Sequence, residues 1–184
     1  MADKVRFNIK NVHYALLTEG ETNQWATPVG IPGAVSLSLS PQGDTKPFYA
    51  DGINYYQSTA NNGYSGDLEM ALFPAGFLKD VFQFSEGSTS MVLTEDATKE
   101  PKPFALLFEE DGDATGTKYV MYKVNATRPD RSLETTSDSK EPKTQKISIT
   151  CVPLTDGKVM AMTQSDTPAA TLSGWYGAVY EETT

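Results

Sequence analysis

The chain has 184 residues, enough for one domain with a real apolar core and no need of metal or disulfide staples. Hydrophobic residues make up 39% and charged residues 21%, which excludes a fibrous or wholly disordered chain. The formal net charge of −9 argues against gripping nucleic acid by phosphate neutralisation, the single Cys rules out an intrachain disulfide, and the single His rules out a multi-His metal site.

In chain order, Val5, Phe7 and Ile9 alternate with Arg6, Asn8 and Lys10. The stretch from Met1 to Lys10 lacks the continuous apolar run of a signal peptide and reads as a strand. Val12 to Leu17 is apolar throughout and predicts a strand covered on both faces. Val35, Leu37 and Leu39 alternate with Ser36, Ser38 and Ser40; Leu68, Met70 and Leu72 alternate with Asp67, Glu69 and Ala71. Each predicts an antiparallel strand with one buried and one wet face. Between them, 41–63 reads as a long loop carrying Phe48, Tyr49, Ile53, Tyr55 and Tyr56. So many aromatics predict either a partner surface or a fold-back onto the chain's own core.

Pro74 suits a first helical turn, and Phe77, Leu78, Val81 and Phe82 recur at helical spacing, so a short helix is predicted from about Pro74 to Phe84. The longest apolar run, Met70 to Leu78, is far short of the ~20 residues a membrane span needs. Phe104–Phe108 and Tyr119–Val124 predict two buried strands joined by a hairpin turn at Gly112–Gly116. Arg128–Lys143, rich in Ser, Thr, Asp and Glu, predicts a flexible loop or a long hairpin tip. Ile147, Ile149 and Cys151 alternate with Lys146, Ser148 and Thr150 as another half-wet strand. The segment 157–184 predicts a strand at Lys158–Met162 and a docked C-terminal strand within Leu172–Tyr180. The whole reads as one mainly β domain, 1–184, an antiparallel sandwich or barrel with one flanking helix.

Motifs for chemistry are sparse. His13 lies in an apolar strand and reads as a packed or edge-strand histidine rather than a base. Gly63-Tyr64-Ser65-Gly66 misses the nucleophile-elbow pattern by one position. Cys151 reads as a buried thiol. Gly112–Lys118 lacks the Gly-Lys-Ser/Thr order of a phosphate loop, and a calcium loop starting at Asp111 would need a carboxylate where Tyr122 stands. Asn125-Ala126-Thr127 matches a glycosylation sequon by chance in a chain without a secretory signal. Asp67 and Glu69 share a strand face and are the one carboxylate pair a glycosidase might have used. No catalytic residue, cofactor or metal is expected.

Several stretches carry a family resemblance. They are Phe7–Ala15, Ile31–Leu37, Pro47–Gly52, Asn61–Glu69, Pro103–Phe108 and Ala126–Pro129, with Tyr49–Leu72 the most specific part. In this order the chain, over roughly Val5 to Val152, resembles the major tail protein, or tail tube protein, of long-tailed siphovirus-type bacteriophages of Gram-positive hosts. The resemblance implies a structural subunit of the virion tail, made in the host cytoplasm and not inserted in a membrane. It implies hexameric rings whose inner strands join into one barrel and which stack into a hollow conduit for DNA ejection. Its partners are then further copies of itself, a tape measure protein and a tail terminator, while DNA passes without specific binding. Residues expected to face the lumen are Ser36, Ser38, Ser40, Asp67, Glu69, Ser148 and Thr150, giving a polar, acidic wall. Residues expected between rings or subunits are Phe48, Tyr49, Ile53, Tyr55 and Tyr56. The competing readings are a tube subunit of a contractile injection or type VI-like system, a monomeric ligand-binding β-barrel, and a carbohydrate-active enzyme using Asp67 and Glu69.

Overall fold

A computed structural model describes residues 8–20, 22–111, 116–135 and 142–182. The chain runs β1 (Asn8–Thr18), β2 (Gln24–Trp25), β3 (Val29–Gly30), β4 (Ala34–Pro41), β5 (Thr45–Ala50), β6 (Ile53–Thr59), β7 (Tyr64–Met70) and α1 (Ala75–Phe82). It continues through β8 (Ser85–Glu86), β9 (Leu93–Thr94), β10 (Phe104–Asp111), β11 (Lys118–Ala126), β12 (Gln145–Cys151), β13 (Met160–Met162) and α2 (Ala169–Gly174). The fold is mainly β and antiparallel, as the alternating sequence predicts. One nine-stranded sheet has the order β2-β1-β10-β11-β12-β7-β4, with β3 added to β1 and β13 to β11.

The sheet curls around one apolar core. Val12 and Tyr14 from β1, Phe104 and Leu106 from β10, Met121 and Val124 from β11, Ile147 and Ile149 from β12, and Leu68 and Met70 from β7 all point into it. Helix α1 closes it by burying Phe77, Val81 and Phe82. Phe77 meets Tyr14 edge-on at 5.0 Å and Phe104 at 5.7 Å, geometries that aromatic quadrupoles favour. The Tyr14 hydroxyl donates to Asp80 on α1 at 2.7 Å, tying helix to sheet, and burial with this bond raises the phenol's pKa. The helix stops at Phe82, two residues before the predicted end. Gln83 adopts left-handed dihedrals there, and Phe84 turns back into the core.

The outer side of the sheet is covered over only part of its width. Ala15, Leu17, Ala105, Leu107, Val120 and Tyr122, on β1, β10 and β11, form a second core with Leu154 and Trp175 of the C-terminal segment. That is why β10 is apolar on both faces. Tyr176 latches this cover: its ring stacks on His13 at 4.4 Å, the Lys118 ammonium lies 5.0 Å from it, and its hydroxyl donates to Glu109 at 3.2 Å. His13 is therefore a packing residue, its Nδ1 within 2.8 Å of the Asn11 carbonyl.

Several predicted elements take a different form. The two N-terminal strands are one, β1, kinked where Asn11 has φ 53° and the pairing with β10 shifts; Val5 and Phe7 lie outside the described residues. Strands β10 and β11 pair as predicted, with Glu109 opposite Lys118, while 112–115 of the expected turn also lie outside. Of the loop 128–143, residues 128–135 carry no regular element and 136–141 lie outside. The predicted strand at Lys158–Met162 is the short β13. The predicted C-terminal strand is instead the helix α2 followed by a turn. Leu172, Trp175, Tyr176, Val179 and Tyr180 recur every three or four residues, so the helical period was present in the sequence.

Phe77→Ala removes the ring that four other aromatics touch, so it is expected to cost about 3–5 kcal/mol in urea unfolding. A loss below 1 kcal/mol contradicts this packing.

Candidate assembly surface

The strands β4, β7 and β12 form the end of the sheet that the C-terminal segment leaves bare. Their registers align the alternating residues into rows. Ser36 lies opposite Glu69 and Glu69 opposite Lys146; Ser38 lies opposite Asp67 and Asp67 opposite Ser148; Ser40 lies opposite Ser65 and Ser65 opposite Thr150. Asn125 of β11 extends the last row beside Thr150. The intervening residues Leu37, Leu39, Leu68, Ile147 and Ile149 face the core. All seven residues expected on a lumen wall thus share one solvent-facing surface. Ser65 and Asn125 belong to it too, and strand alternation alone could have found them.

This close strand packing has a backbone requirement. Gly66, between Leu39 and Ile149 in register, passes so near β4 that a Cβ would lie 1.8 Å from the Ser38 carbonyl oxygen.

The surface is a hydrogen-bonded mat. The Ser36 hydroxyl donates to Glu69 Oε2 at 2.9 Å, and the Thr144 hydroxyl donates to Glu69 Oε1. The Ser148 hydroxyl donates to Asp67 Oδ1 at 2.8 Å, and Lys146 Nζ lies 2.9 Å from Asp67 Oδ2. Gln42 Nε2 donates to the Ser65 hydroxyl at 2.7 Å. These bonds hold Asp67 below its ordinary pKa, chiefly through Lys146 and then Ser148, and Glu69 below its own through Thr144 and then Ser36. On this face two carboxylates stand with one ammonium, that of Lys146, which Asp67 engages.

The register also corrects two expected core positions. A shift between Ala34 and Ser36 takes Val35 out of the buried row and leaves it 48% exposed. Strand β7 ends at Met70, so Leu72 lies beyond it, exposed.

Beyond Pro41 the β4–β7 ladder continues outward. The Gln42 N–H donates to the Gly63 carbonyl and the Asn62 N–H to the Gln42 carbonyl, each at 2.8 Å. Then β5 and β6 pair with each other as a separate ribbon. What the sequence reads as a loop at 41–63 is therefore largely a two-stranded arm. Its tip is the dipeptide Asp51-Gly52, at φ 53° and 77°, the left-handed pair of a tight hairpin turn. Phe48, Tyr49, Ile53, Tyr55 and Tyr56 are all 61–70% exposed, so the arm does not fold back on the core. Phe48 pairs with Tyr56 on one face, whereas Tyr49, the next residue of β5, points to the opposite face and pairs with Asn54 across a register shift. Ile53, opposite Ala50, lies on the Phe48 face, and Tyr55 stands at the shift, so both faces of the ribbon carry apolar side chains.

Other predicted features are placed plainly. Cys151 is buried, and burial pushes its thiol up to about 12, so it is inert at neutral pH. Among the described residues no group of three His, Cys, Asp or Glu side chains could hold a metal ion, and no helix is long and apolar enough to cross a membrane.

No family model matches the chain, and no curated protein matches it. Solved structures similar in chain path include two of one assembly type. A chain of the anti-feeding prophage baseplate, seen by cryo-EM, aligns with 88% of this chain and 96% of its own length at 13% identity and TM-score 0.44. A chain of the anti-feeding prophage tube-terminating cap aligns with 88% of this chain and 94% of its own at 13% identity and TM-score 0.43.

A carboxylate with a depressed pKa stabilises the fold above its unfolded value and loses that contribution as pH falls through the folded one. By NMR titration the Asp67 carboxyl is expected to titrate below 3.8 and to return toward that value in Lys146→Ala. Glu69 should move less in that variant, because Thr144 and Ser36 are its main partners. An unchanged Asp67 midpoint contradicts the mat.

Proposed function

We propose that this chain is a structural subunit of a phage tail tube, built of stacked rings that form a hollow conduit for DNA. The observation that carries the reading is the conjunction of three unfinished surfaces on neighbouring strands. The β4–β7–β12 face is polar and, among the described residues, uncovered. The outer edge of β4 has no strand partner among the described residues. The ladder of β4 and β7 runs on into an arm of exposed aromatics. A monomer gains nothing from an apolar ribbon in water or an open strand edge, and both invite association. Copies side by side would cover the edge, and copies end to end would cover the arm.

The polar face then becomes the wall of the bore. Its hydroxyls and hydrogen-bonded carboxylates offer duplex phosphates no unpaired cation, since Lys146 is held by Asp67. Phosphate contacts dominate nucleic-acid affinity, so such a wall lets DNA slide. The sequence resemblance adds the six-fold ring, the tape measure protein and the terminator. In this reading the subunit does no chemistry. A glycosidase acid needs a carboxyl whose pKa is raised, whereas Asp67 and Glu69 are both held low.

Electron microscopy of concentrated protein tests this reading. Wild type is expected to show rings or tubes. Phe48→Ser with Tyr49→Ser is expected to abolish the tubes, because anchor aromatics contribute ~2 kcal/mol or more each to an interface. Its thermal stability should stay within about 0.5 kcal/mol of wild type, as the rings touch little of their own fold. Normal tubes from this variant would remove the arm from assembly.

A further inference from the structure

Asp51-Gly52, Asn62-Gly63 and Asp156-Gly157 share a chemical possibility, and a fourth such pair, Asp111-Gly112, extends outside the described residues. In each, the glycine nitrogen can attack the side-chain carbonyl carbon of the residue before it and close a five-membered imide. Glycine leaves that nitrogen unshielded by any Cβ. The fold treats the three described pairs differently.

At Asn62-Gly63 the reacting groups are tied. The Gly63 N–H, which would have to attack, donates to Asn61 Oδ1 at 3.0 Å. The Gly63 carbonyl and the Asn62 N–H are each bonded to the Gln42 backbone at 2.8 Å. The backbone is also wedged, since a Cβ on Gly63 would lie 1.9 Å from the Cys151 carbonyl oxygen. At Asp156-Gly157 the Gly157 N–H donates to the Leu154 carbonyl at 2.9 Å. The Asp156 carboxylate accepts from the Lys158 N–H at 3.1 Å and lies 3.0 Å from Lys158 Nζ.

Asp51-Gly52 has none of these restraints. Both residues are exposed and form the turn between the paired Ala50 and Ile53 at the arm's tip. Neither the Asp51 carboxylate nor the Gly52 N–H has a hydrogen-bond partner among the described residues. A Cβ on Gly52 would meet nothing within 4 Å. Attack requires the Asp51 side chain to swing over the next peptide nitrogen, and an exposed tip with so few contacts opens at little cost. Asp51 also holds φ 53°, a left-handed backbone that costs a side chain with a Cβ, so leaving the turn releases strain.

We infer that Asp51 is a site of spontaneous backbone isomerisation, and that the fold directs this chemistry to the arm's tip. The Gly52 nitrogen bonds to Asp51 Cγ, and its proton leaves with the carboxyl hydroxyl as one water, closing a succinimide. One water then opens the ring at either carbonyl. Opening at Cγ restores Asp51. Opening at the main-chain carbonyl of Asp51 routes the chain through the side-chain methylene and frees an α-carboxylate, giving isoaspartate. Water is the one co-reactant. The product has an extra backbone atom in a two-residue turn. Such a turn fixes the pairing of Ala50 with Ile53, so the extra atom misfits the hairpin and loosens the arm from its tip. The inference stands on the geometry of the turn, apart from the tube reading.

The test is ageing of the unaltered full-length protein at physiological temperature and neutral pH, followed by proteolysis and mass spectrometry with isoaspartate-specific fragmentation. All three sites are read in one chain, so no variant has to fold. The expected result is at least tenfold more isoaspartate at Asp51 than at Asn62 or Asp156. A parallel sample aged in guanidinium chloride loses the protection of the fold. There Asn62 is expected to lead, because a carboxamide is a better electrophile than a carboxylate, and Asp156 to match Asp51. Equal or greater conversion at Asn62 or Asp156 in the folded protein overturns the inference. So does an Asp51 that stays unconverted, or the same order of sites in both samples.

Discussion

The structure depends on how one curled sheet divides its outer face. Over β1, β10 and β11 that face is apolar, and the chain covers it with its own C-terminal segment through Leu154, Trp175 and the Tyr176 latch. Over β4, β7 and β12 the same face is polar, and no strand or helix of the described residues lies on it. Burying Ser, Asp and Glu under a further layer would cost desolvation for each group not re-bonded. The mat of hydroxyls and carboxylates instead satisfies itself in the plane of the sheet and leaves its outer side to solvent.

That division has consequences at the sheet's edge. Because β4 is the last strand and carries the polar face, its free backbone edge lies beside a surface that cannot be capped by an apolar layer. Natural sheets blunt such edges with charge, proline or a bulge. Here β4 has the bulge at Val35 and a proline only at its final residue, Pro41, so among the described residues most of the edge has no strand partner. The aromatic arm adds a second apolar surface in water. Both features are costly in an isolated chain and useful in an assembled one.

Much of this was legible in the sequence. Period-two alternation at Ser36–Ser40, Asp67–Glu69 and Ser148–Thr150 located the polar face, because a strand's two faces are fixed by the pleat and survive any detail of register. Helix α1 was legible from Phe77, Leu78, Val81 and Phe82 for the same kind of reason. What the sequence hid was local or long-range. The shift that exposes Val35 depends on how β4 meets β7, which no single-strand pattern encodes. The arm was read as a loop because Gly43, Pro47 and Gly52 broke its pattern, although Asp51-Gly52 is a hairpin signal. Strand alternation put Lys146 on the polar face but could not show that it lies 2.9 Å from Asp67.

The account stands on where the bare face points once copies meet. A cryo-EM reconstruction of the assembled protein at side-chain resolution decides it. The predicted result is a tube in which Ser38, Asp67 and Ser148 of every copy face the central bore. A tube with those residues on its outer surface, or buried against a neighbour, would contradict it.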